Sequence, residues 1–212
     1  QKGITIESEQ YEFQGRRMNY LCIPHASDTV PVAIYVHGSP GSSKDFFKTM
    51  LDSSLRSNFE LVTVDRPGFG QSGFGESERT LDSQAASIKP LLEVYKGRKI
   101  IVIGHSYGGP VVCKMAMKYA EQINGLMIVA GSIAPELEPK EPWRKTLDRN
   151  WIRWALPRAM VASNQEIMAL KNELYRMEKE WDQVRCATLV LQGKKDKLVP
   201  PGNADYAEEK IT

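Results

Sequence analysis

Short apolar runs recur along the chain, separated by segments whose hydrophobic positions follow helical spacing. Strands are predicted at residues 4–13, 17–23, 31–36, 60–64, 98–103, 125–130 and 187–191. Helices are predicted at residues 44–55 and 110–120, and another helix is predicted to begin after an N-cap at Thr80. This alternation of strands and helices predicts an α/β fold, with a mainly parallel sheet covered by helices on both faces.

Residues 133–184 interrupt this alternation, and their helical patterns predict an insertion over one end of the sheet. The α/β core of the fold is then expected at residues 1–132 and 185–212. Within the insertion, Ser163 and Glu166 match a capping box at the start of a helix. One apolar stripe follows, formed by Ile167, Leu170, Leu174, Met177 and Trp181. Trp143, Trp151 and Trp154 are interpreted mainly as core of the insertion, with the lining of an apolar pocket as the alternative.

Composition limits the classes of function. The chain has 212 residues, 42% of them hydrophobic, and a formal net charge of +2, which suits one globular domain. The basic residues are interspersed, so no nucleic-acid partner is expected, and no segment resembles a membrane span. Three scattered cysteines indicate neither a disulfide framework nor a zinc site. A cytoplasmic protein is the default, and because the chain begins with Gln, an exported protein whose signal has been removed stays open.

The most informative motif is Gly-His-Ser-Tyr-Gly-Gly at residues 104–109, which follows a predicted strand and precedes a predicted helix. Gly104 and Gly108 allow the chain to reverse sharply, so Ser106 is predicted to be a nucleophile on a strand-to-helix turn. The backbone N–H of Tyr107 would then lie at a helix start, where it can stabilise an oxyanion.

Two further loops are expected at the same edge of the sheet. His-Gly-Ser-Pro-Gly-Ser follows the strand at 31–36, and the N–H of Ser39 is the predicted second oxyanion donor. Asp-Arg-Pro-Gly-Phe-Gly-Gln-Ser follows the strand at 60–64, where Asp65 and Arg66 are expected to fix the turn rather than to perform chemistry. Neither loop has the pattern of a phosphate-binding loop.

These three motifs, in this order, resemble those of the α/β-hydrolase superfamily, in its capped group of esterase-like serine hydrolases. The resemblance implies acyl transfer through a serine ester, a small-molecule ester or acyl substrate, and no cofactor or metal. It also implies that Asp196, after the strand at 187–191, is the acid that orients a catalytic histidine. Ser106 argues against the epoxide hydrolases and haloalkane dehalogenases of this fold, which use an aspartate nucleophile.

The chain departs from the family pattern because it has no histidine at the position of the general base. His25, His37 and His105 are the three histidines of the sequence, and none fits that position. In the family the base follows one more strand beyond the acid, whereas this chain stops at Thr212. We favour a natural protein that continues with a strand, a histidine loop and a helix, because the apolar strand at 188–191 would otherwise have an open edge. The other interpretation is a relative that lacks its base.

Two functions therefore follow from the sequence. The first is a serine hydrolase that cleaves a small ester or related acyl compound through a Ser106 acyl-enzyme, with the histidine expected beyond Thr212. The alternative is a non-catalytic protein of the same fold that binds a small apolar ligand.

Overall fold

A computed structural model describes residues 4–211 and contains one seven-stranded sheet in the order β1-β2-β4-β3-β5-β6-β7. The strands are β1 Glu7–Phe13, β2 Arg16–Ile23, β3 Val32–Val36, β4 Glu60–Val64, β5 Ile100–His105, β6 Gly125–Val129 and β7 Ala187–Leu191. The opening hairpin is antiparallel, β2 pairs antiparallel with β4, and the other pairings are parallel. The predicted α/β fold with a mainly parallel sheet is confirmed.

Helices connect the parallel strands, as the alternating pattern predicts. Their bounds are α1 Phe47–Met50, α2 Ser53–Asn58, α3 Leu81–Val94, α4 Gly108–Lys118, α5 Trp143–Leu147, α6 Asn150–Arg153, α7 Arg158–Met177 and α8 Gly202–Lys210. The Thr80 side chain accepts a hydrogen bond from the Ser83 N–H, so the predicted N-cap of α3 is confirmed. None of the helices in residues 4–211 is long and apolar enough to cross a membrane.

Alternating side chains of the parallel strands divide the core between the two faces of the sheet. Ile34 and Val102 face a large apolar cluster under α3, α4 and α7. Tyr35 and Ile103 face a smaller cluster, which the short helices between β3 and β4 cover. Beyond those helices this second face is open, and an apolar groove of about 460 Å³ lies over β3, β5, β6 and β7. Helical cover on the second face is therefore less extensive than on the first.

Strand β7 forms one edge of the sheet in the described part of the chain, where it pairs with β6. Leu189 and Leu191 are 53% and 46% exposed, unlike the side chains of the central strands. The apolar edge that the sequence predicts for this strand is therefore open in residues 4–211.

Two predicted helix boundaries are wrong. The helix expected at 44–55 is a 3₁₀ turn followed by α1 and α2, because Asp52 is extended and its side chain accepts a hydrogen bond from the Leu55 N–H, which starts a new helix. The capping box expected at Ser163 and Glu166 does not start a helix. Helix α7 begins at Arg158, after Pro157, and both polar residues lie inside it.

The tryptophans of the insertion also differ from expectation. Trp143, Trp151 and Trp154 are 50%, 71% and 90% exposed, so their interpretation as core is wrong. They lie on the short helices α5 and α6 or directly after them, which are too short to bury a broad apolar face. Trp181, in the stripe that continues from α7, is buried as predicted. The division of the chain into a core and an insertion at 133–184 stays a prediction.

Asn203 joins the last helix to the segment after β6. Its side-chain oxygen accepts hydrogen bonds from the N–H groups of Ile133 and Ala134, at 2.8 and 2.9 Å, and the residue is buried. Asn203→Ala would leave both donors without this partner, so we expect the free energy of unfolding to fall by about 2 kcal/mol. Urea titration measures this loss. Asn172→Ala, on the exposed side of α7, is the control and should change the value by less than about 0.5 kcal/mol.

Candidate active site

Ser106 follows the last residue of β5 and has a φ of +53°, a left-handed conformation that is uncommon for a residue with a side chain. Hydrogen bonds on both sides hold it there: its N–H donates to Val129 O at 3.0 Å, and its carbonyl accepts from Gly109 N–H at 2.9 Å. The side chain is partly exposed at the carboxyl edge of the sheet. The predicted strand-to-helix turn is therefore present, with a strained serine at its apex.

The two glycines that flank this turn are required by close backbone packing. A Cβ at Gly104 would lie 2.2 Å from Gly108 O, and a Cβ at Gly108 would lie 2.2 Å from Val36 O. Both distances are far shorter than any van der Waals contact, and both involve backbone atoms. Helix α4 can thus begin directly against β3 and β5 only because these positions lack side chains.

The loop after β3 lies beside Ser106. A Cβ built on Gly38 would be 3.0 Å from Ser106 Cβ, so the backbone of this loop passes immediately next to the serine. In the described part of the chain, neither the N–H of Ser39 nor that of Tyr107 donates a hydrogen bond to another protein atom. The structure therefore brings the loop that carries Ser39 next to Ser106, which directly precedes Tyr107. Within residues 4–211, the backbone N–H groups of Ser39 and Tyr107, the two predicted oxyanion donors, are free.

Arg66 lies beneath this loop and is fully buried. Its Nε donates to His37 O at 2.9 Å and its Nη2 donates to Gly38 O at 2.8 Å. Nη1 donates to Gln84 at 2.7 Å, and the two Nη atoms form a bidentate ion pair with Glu166 at 2.7 and 2.9 Å. All five N–H groups of the guanidinium thus have an acceptor. The prediction that Asp65 and Arg66 fix their own turn is confirmed for Asp65, whose carboxylate accepts from the Gln71 N–H at 2.9 Å, and is wrong for Arg66, whose side-chain hydrogen bonds go to the loop after β3, to α3 and to α7.

His37 is also a structural residue of this cluster. Its Nε2 must be an acceptor, because the Arg66 backbone N–H points at it from 3.0 Å, so the ring proton is on Nδ1 and is donated to Gly38 O at 2.7 Å. Complete burial, together with the nearby positive charge of Arg66, lowers the pKa of His37 well below its ordinary value. A neutral, fully bonded imidazole cannot serve as the base of a reaction at Ser106.

Three residues of this cluster were not recognised as site residues from the sequence. Glu166 and Gln84 bond to Arg66 from α7 and α3, and Ser163 Oγ accepts a hydrogen bond from Ser39 Oγ at 2.8 Å. Ser163 and Glu166 are one helical turn apart on α7, which places both on the face toward the loop. A polar pair at this spacing in the amphipathic helix was the available signal, but it also matches a capping box.

Asp196 lies in the loop after β7, at the same edge of the sheet as Ser106 but two strands away. Its carboxylate accepts hydrogen bonds from the N–H groups of Val199 and Leu198, at 3.0 and 2.9 Å. These two bonds lower the pKa of Asp196, which keeps the side chain ionised at neutral pH. No hydrogen bond joins Asp196 to Ser106 within residues 4–211, so the structure places the two on one edge without direct contact.

Neither of the two remaining histidines forms a hydrogen bond with Ser106 within residues 4–211. His25 follows β2, whose Ile23 pairs with Leu61 near the start of β4, at the opposite end of the sheet. His105 is exposed and directly precedes Ser106, and its ring lies near the loop after β3, since a Cβ built on Gly38 would be 3.4 Å from His105 Nδ1. Across the described residues, no cluster of three or more His, Cys, Asp or Glu side chains could hold a metal ion.

The family of the chain follows from its sequence. The profile of the α/β-hydrolase fold matches residues 31–157, more than half of the chain. The chain therefore belongs to the α/β-hydrolase family, as its three motifs and its sheet order indicate.

Relatives within this family carry different activities. The chain is 30% identical over 132 residues to a 1-acylglycerol-3-phosphate O-acyltransferase of Arabidopsis thaliana, a match that covers 59% of this chain and 31% of that protein. It is 28% identical over 132 residues to a proline iminopeptidase of Saccharolobus solfataricus, covering 61% of this chain and 38% of that protein. The match thus spans about a third of the length of each of these two relatives.

Solved structures agree with the fold. A peroxisomal α/β-hydrolase of Saccharomyces cerevisiae superimposes with a TM-score of 0.74 at 13% identity, covering 100% of this chain and 81% of the other. A hydrolase of Pseudomonas aeruginosa gives a TM-score of 0.71 at 17% identity, covering 97% and 87%. At these identities the likeness concerns the fold.

The strain at Ser106 can be measured without any substrate. Because a left-handed residue costs less as glycine than as alanine, we expect Ser106→Gly to be more stable than Ser106→Ala by about 1 kcal/mol. Urea denaturation of the two variants gives the difference. The control is Ser57, in helix α2, where glycine should instead be the less stable variant by about 1 kcal/mol. Equal stability of the two Ser106 variants would contradict a left-handed conformation at this position.

Proposed function

We propose that the protein is a serine hydrolase that cleaves a small ester or related acyl substrate through an acyl-enzyme on Ser106. The N–H groups of Ser39 and Tyr107 bind the oxyanion, and Asp196 orients a histidine that lies outside these 212 residues. No cofactor takes part in this mechanism. Water then releases the acyl group from Ser106.

The observation that carries the proposal is the combination of a strained serine and two free N–H groups. Ser106 has a φ of +53° at the edge of the sheet, and the loop that contains Ser39 passes immediately beside it. A buried or partly buried N–H without an acceptor is uncommon in a folded protein. Two such groups next to a nucleophile suit a site in which a negative oxygen forms during the reaction.

The proposed mechanism assigns the proton transfer to a histidine outside these 212 residues, because no histidine in residues 4–211 forms a hydrogen bond with Ser106. His37 is neutral, buried and bonded through both ring nitrogens, so it neither accepts the Ser106 proton nor approaches Asp196. Asp196 is ionised and held by two backbone N–H groups, which suits an acid that stabilises an imidazolium. A histidine between Ser106 and Asp196 completes the arrangement.

The names of the relatives support acyl transfer as the general reaction class. One is an acyltransferase and the other an iminopeptidase. Serine enzymes of both kinds can form an acyl-enzyme, and they then differ in the group that attacks this intermediate. For this chain we propose water as that group and a small ester or related acyl compound as the substrate.

Covalent labelling tests the nucleophile directly. The natural protein that contains this chain should react with a fluorophosphonate at Ser106, because the base and both oxyanion donors act on the probe as on an ester. Intact-mass spectrometry detects one added phosphonyl group, and digestion locates it. Ser106→Ala should not react.

Failure of the natural protein to react, with a folded state confirmed by circular dichroism, would refute the hydrolase mechanism. A non-catalytic protein that binds a small apolar ligand would then be the better interpretation.

The role of Asp196 has its own test. Asp196→Asn should lower kcat for hydrolysis of p-nitrophenyl acetate by roughly 10²- to 10⁴-fold, since an uncharged amide cannot stabilise an imidazolium. Asp205→Asn, in helix α8 of the same region, is the matched control and should leave kcat within about twofold. Equal, small effects of both substitutions would remove Asp196 from the mechanism.

A further inference from the structure

We propose that the buried ion pair between Arg66 and Glu166 couples helix α7 to the loop after β3 and holds the Ser39 N–H toward Ser106. The inference rests on the proposed function, because it assigns that N–H to the oxyanion. Arg66 and Glu166 are thus positioning residues: neither touches the substrate, and both act through the Gly38–Ser39 peptide.

One peptide bond connects the buried arginine to the proposed oxyanion donor. Gly38 O accepts hydrogen bonds from Arg66 Nη2 at 2.8 Å and from His37 Nδ1 at 2.7 Å. The carbonyl of residue 38 and the N–H of residue 39 belong to the same planar trans peptide and point in opposite directions. Two donors that fix the carbonyl on the buried side therefore direct the Ser39 N–H away from that side, and the same segment passes Ser106, since a Cβ built on Gly38 would be 3.0 Å from Ser106 Cβ.

The guanidinium of Arg66 is held in one position. All five of its N–H groups are bonded, and the rings of Phe69 and Tyr107 lie against it, with centroids 4.9 and 4.6 Å from the guanidinium carbon. Tyr107 is itself the residue that carries the other proposed oxyanion donor. Arg66 therefore contacts the segments of both donors at once.

Helix α7 is connected both to the guanidinium and to the loop after β3. Glu166 is the acidic partner of Arg66 in the described ion pairs, and the side chains of both are 0% exposed. The same helix reaches the loop a second time, through the hydrogen bond between Ser39 Oγ and Ser163 Oγ. A displacement of α7 would pull on the guanidinium and on Ser39 together, so the position of this helix and the orientation of the N–H are linked.

This linkage makes a specific kinetic prediction. Without the Glu166 carboxylate, the guanidinium loses its two strongest acceptors and no longer holds Gly38 O in one orientation. The oxyanion interaction weakens, whereas the Ser106 hydroxyl and its base remain in place. Such a change lowers kcat with little effect on KM, because the lost interaction belongs to the transition state.

The test compares two substitutions of the same kind on the same helix, in the natural protein that contains this chain. Glu166→Gln removes the charge that faces Arg66. Glu173→Gln is the matched control: Glu173 is also buried in α7, but it accepts from the Leu81 N–H and pairs with Arg176. Both variants remove a buried carboxylate, but only Glu166→Gln leaves a buried guanidinium without its charged partner, because Arg176 is exposed. Urea titration therefore accompanies the kinetics, and kcat is compared only under conditions in which both variants are folded.

We expect Glu166→Gln to lower kcat for p-nitrophenyl acetate by on the order of tenfold to a hundredfold, with KM changed less than threefold. Glu173→Gln should stay within about twofold of the unmodified protein. The ³¹P resonance of the Ser106 phosphonyl adduct should shift in the Glu166 variant alone, because its oxygen occupies the oxyanion site. Equal effects of the two variants on kcat and on the resonance would overturn the inference.

A second variant covers the case in which Glu166→Gln does not fold. Arg66→Lys keeps a buried positive charge for Glu166, but a single ammonium cannot also donate to His37 O and Gly38 O in the geometry of the guanidinium. The same loss of kcat and the same shift of the ³¹P resonance are expected. An Arg66→Lys protein with unchanged kcat and resonance would overturn the inference.

Failure of the proposed function is recognised separately. If the unmodified protein neither hydrolyses the ester nor reacts with the fluorophosphonate, the hydrolase proposal fails, and the coupling is then read from the Ser39 amide itself. Its ¹⁵N–¹H resonance should move in Glu166→Gln or Arg66→Lys and not in Glu173→Gln. An unmoved Ser39 resonance in a folded variant would refute the coupling whatever the activity.

Discussion

A fully buried arginine organises the edge of the sheet at which Ser106 lies. Taking a guanidinium out of water is costly, and the structure compensates this cost with a bidentate carboxylate and with acceptors for every remaining N–H. Those acceptors come from the loop after β3, from α3 and from α7. Removing the Glu166 carboxylate would leave an uncompensated buried charge, which typically costs about 3–5 kcal/mol. Segments that are far apart in the sequence are thereby held in one arrangement.

A second constraint acts on the backbone of the elbow. The left-handed conformation of Ser106 costs of order 1–3 kcal/mol, and it persists because β5 is paired on both sides, with β3 and β6. Gly104 and Gly108 permit the close approach of α4 to these strands, so the chain between β5 and α4 must turn sharply at Ser106. The sheet therefore supports the strain, and the arginine cluster positions the neighbouring loop. Each constraint alone would leave one part of the site undefined.

Sequence patterns revealed the first constraint only weakly and the second one well. The strands, the elbow and the N-cap of α3 are local features, recorded in residues a few positions apart, so they could be predicted. The pairing of Arg66 with Glu166 joins residues 100 positions apart, and no periodicity reports such a contact. Ser163 and Glu166 imitate a capping box because the spacing that suits a cap also places two side chains on one helix face. The exposed Trp151 and Trp154 likewise show that apolar residues in very short helices are poor indicators of core.

The arrangement also links one helix to the reaction proposed at Ser106. Leu170 and Leu174 of α7 are buried in the large apolar cluster, so the helix is anchored to the core through one side. Through Ser163 and Glu166 it reaches the loop beside Ser106, and this contact is polar and directional rather than apolar. Apolar packing tolerates small shifts, whereas hydrogen bonds to a guanidinium weaken steeply with angle. Small displacements of α7 would therefore change the orientation of the Gly38–Ser39 peptide before they disturb the core.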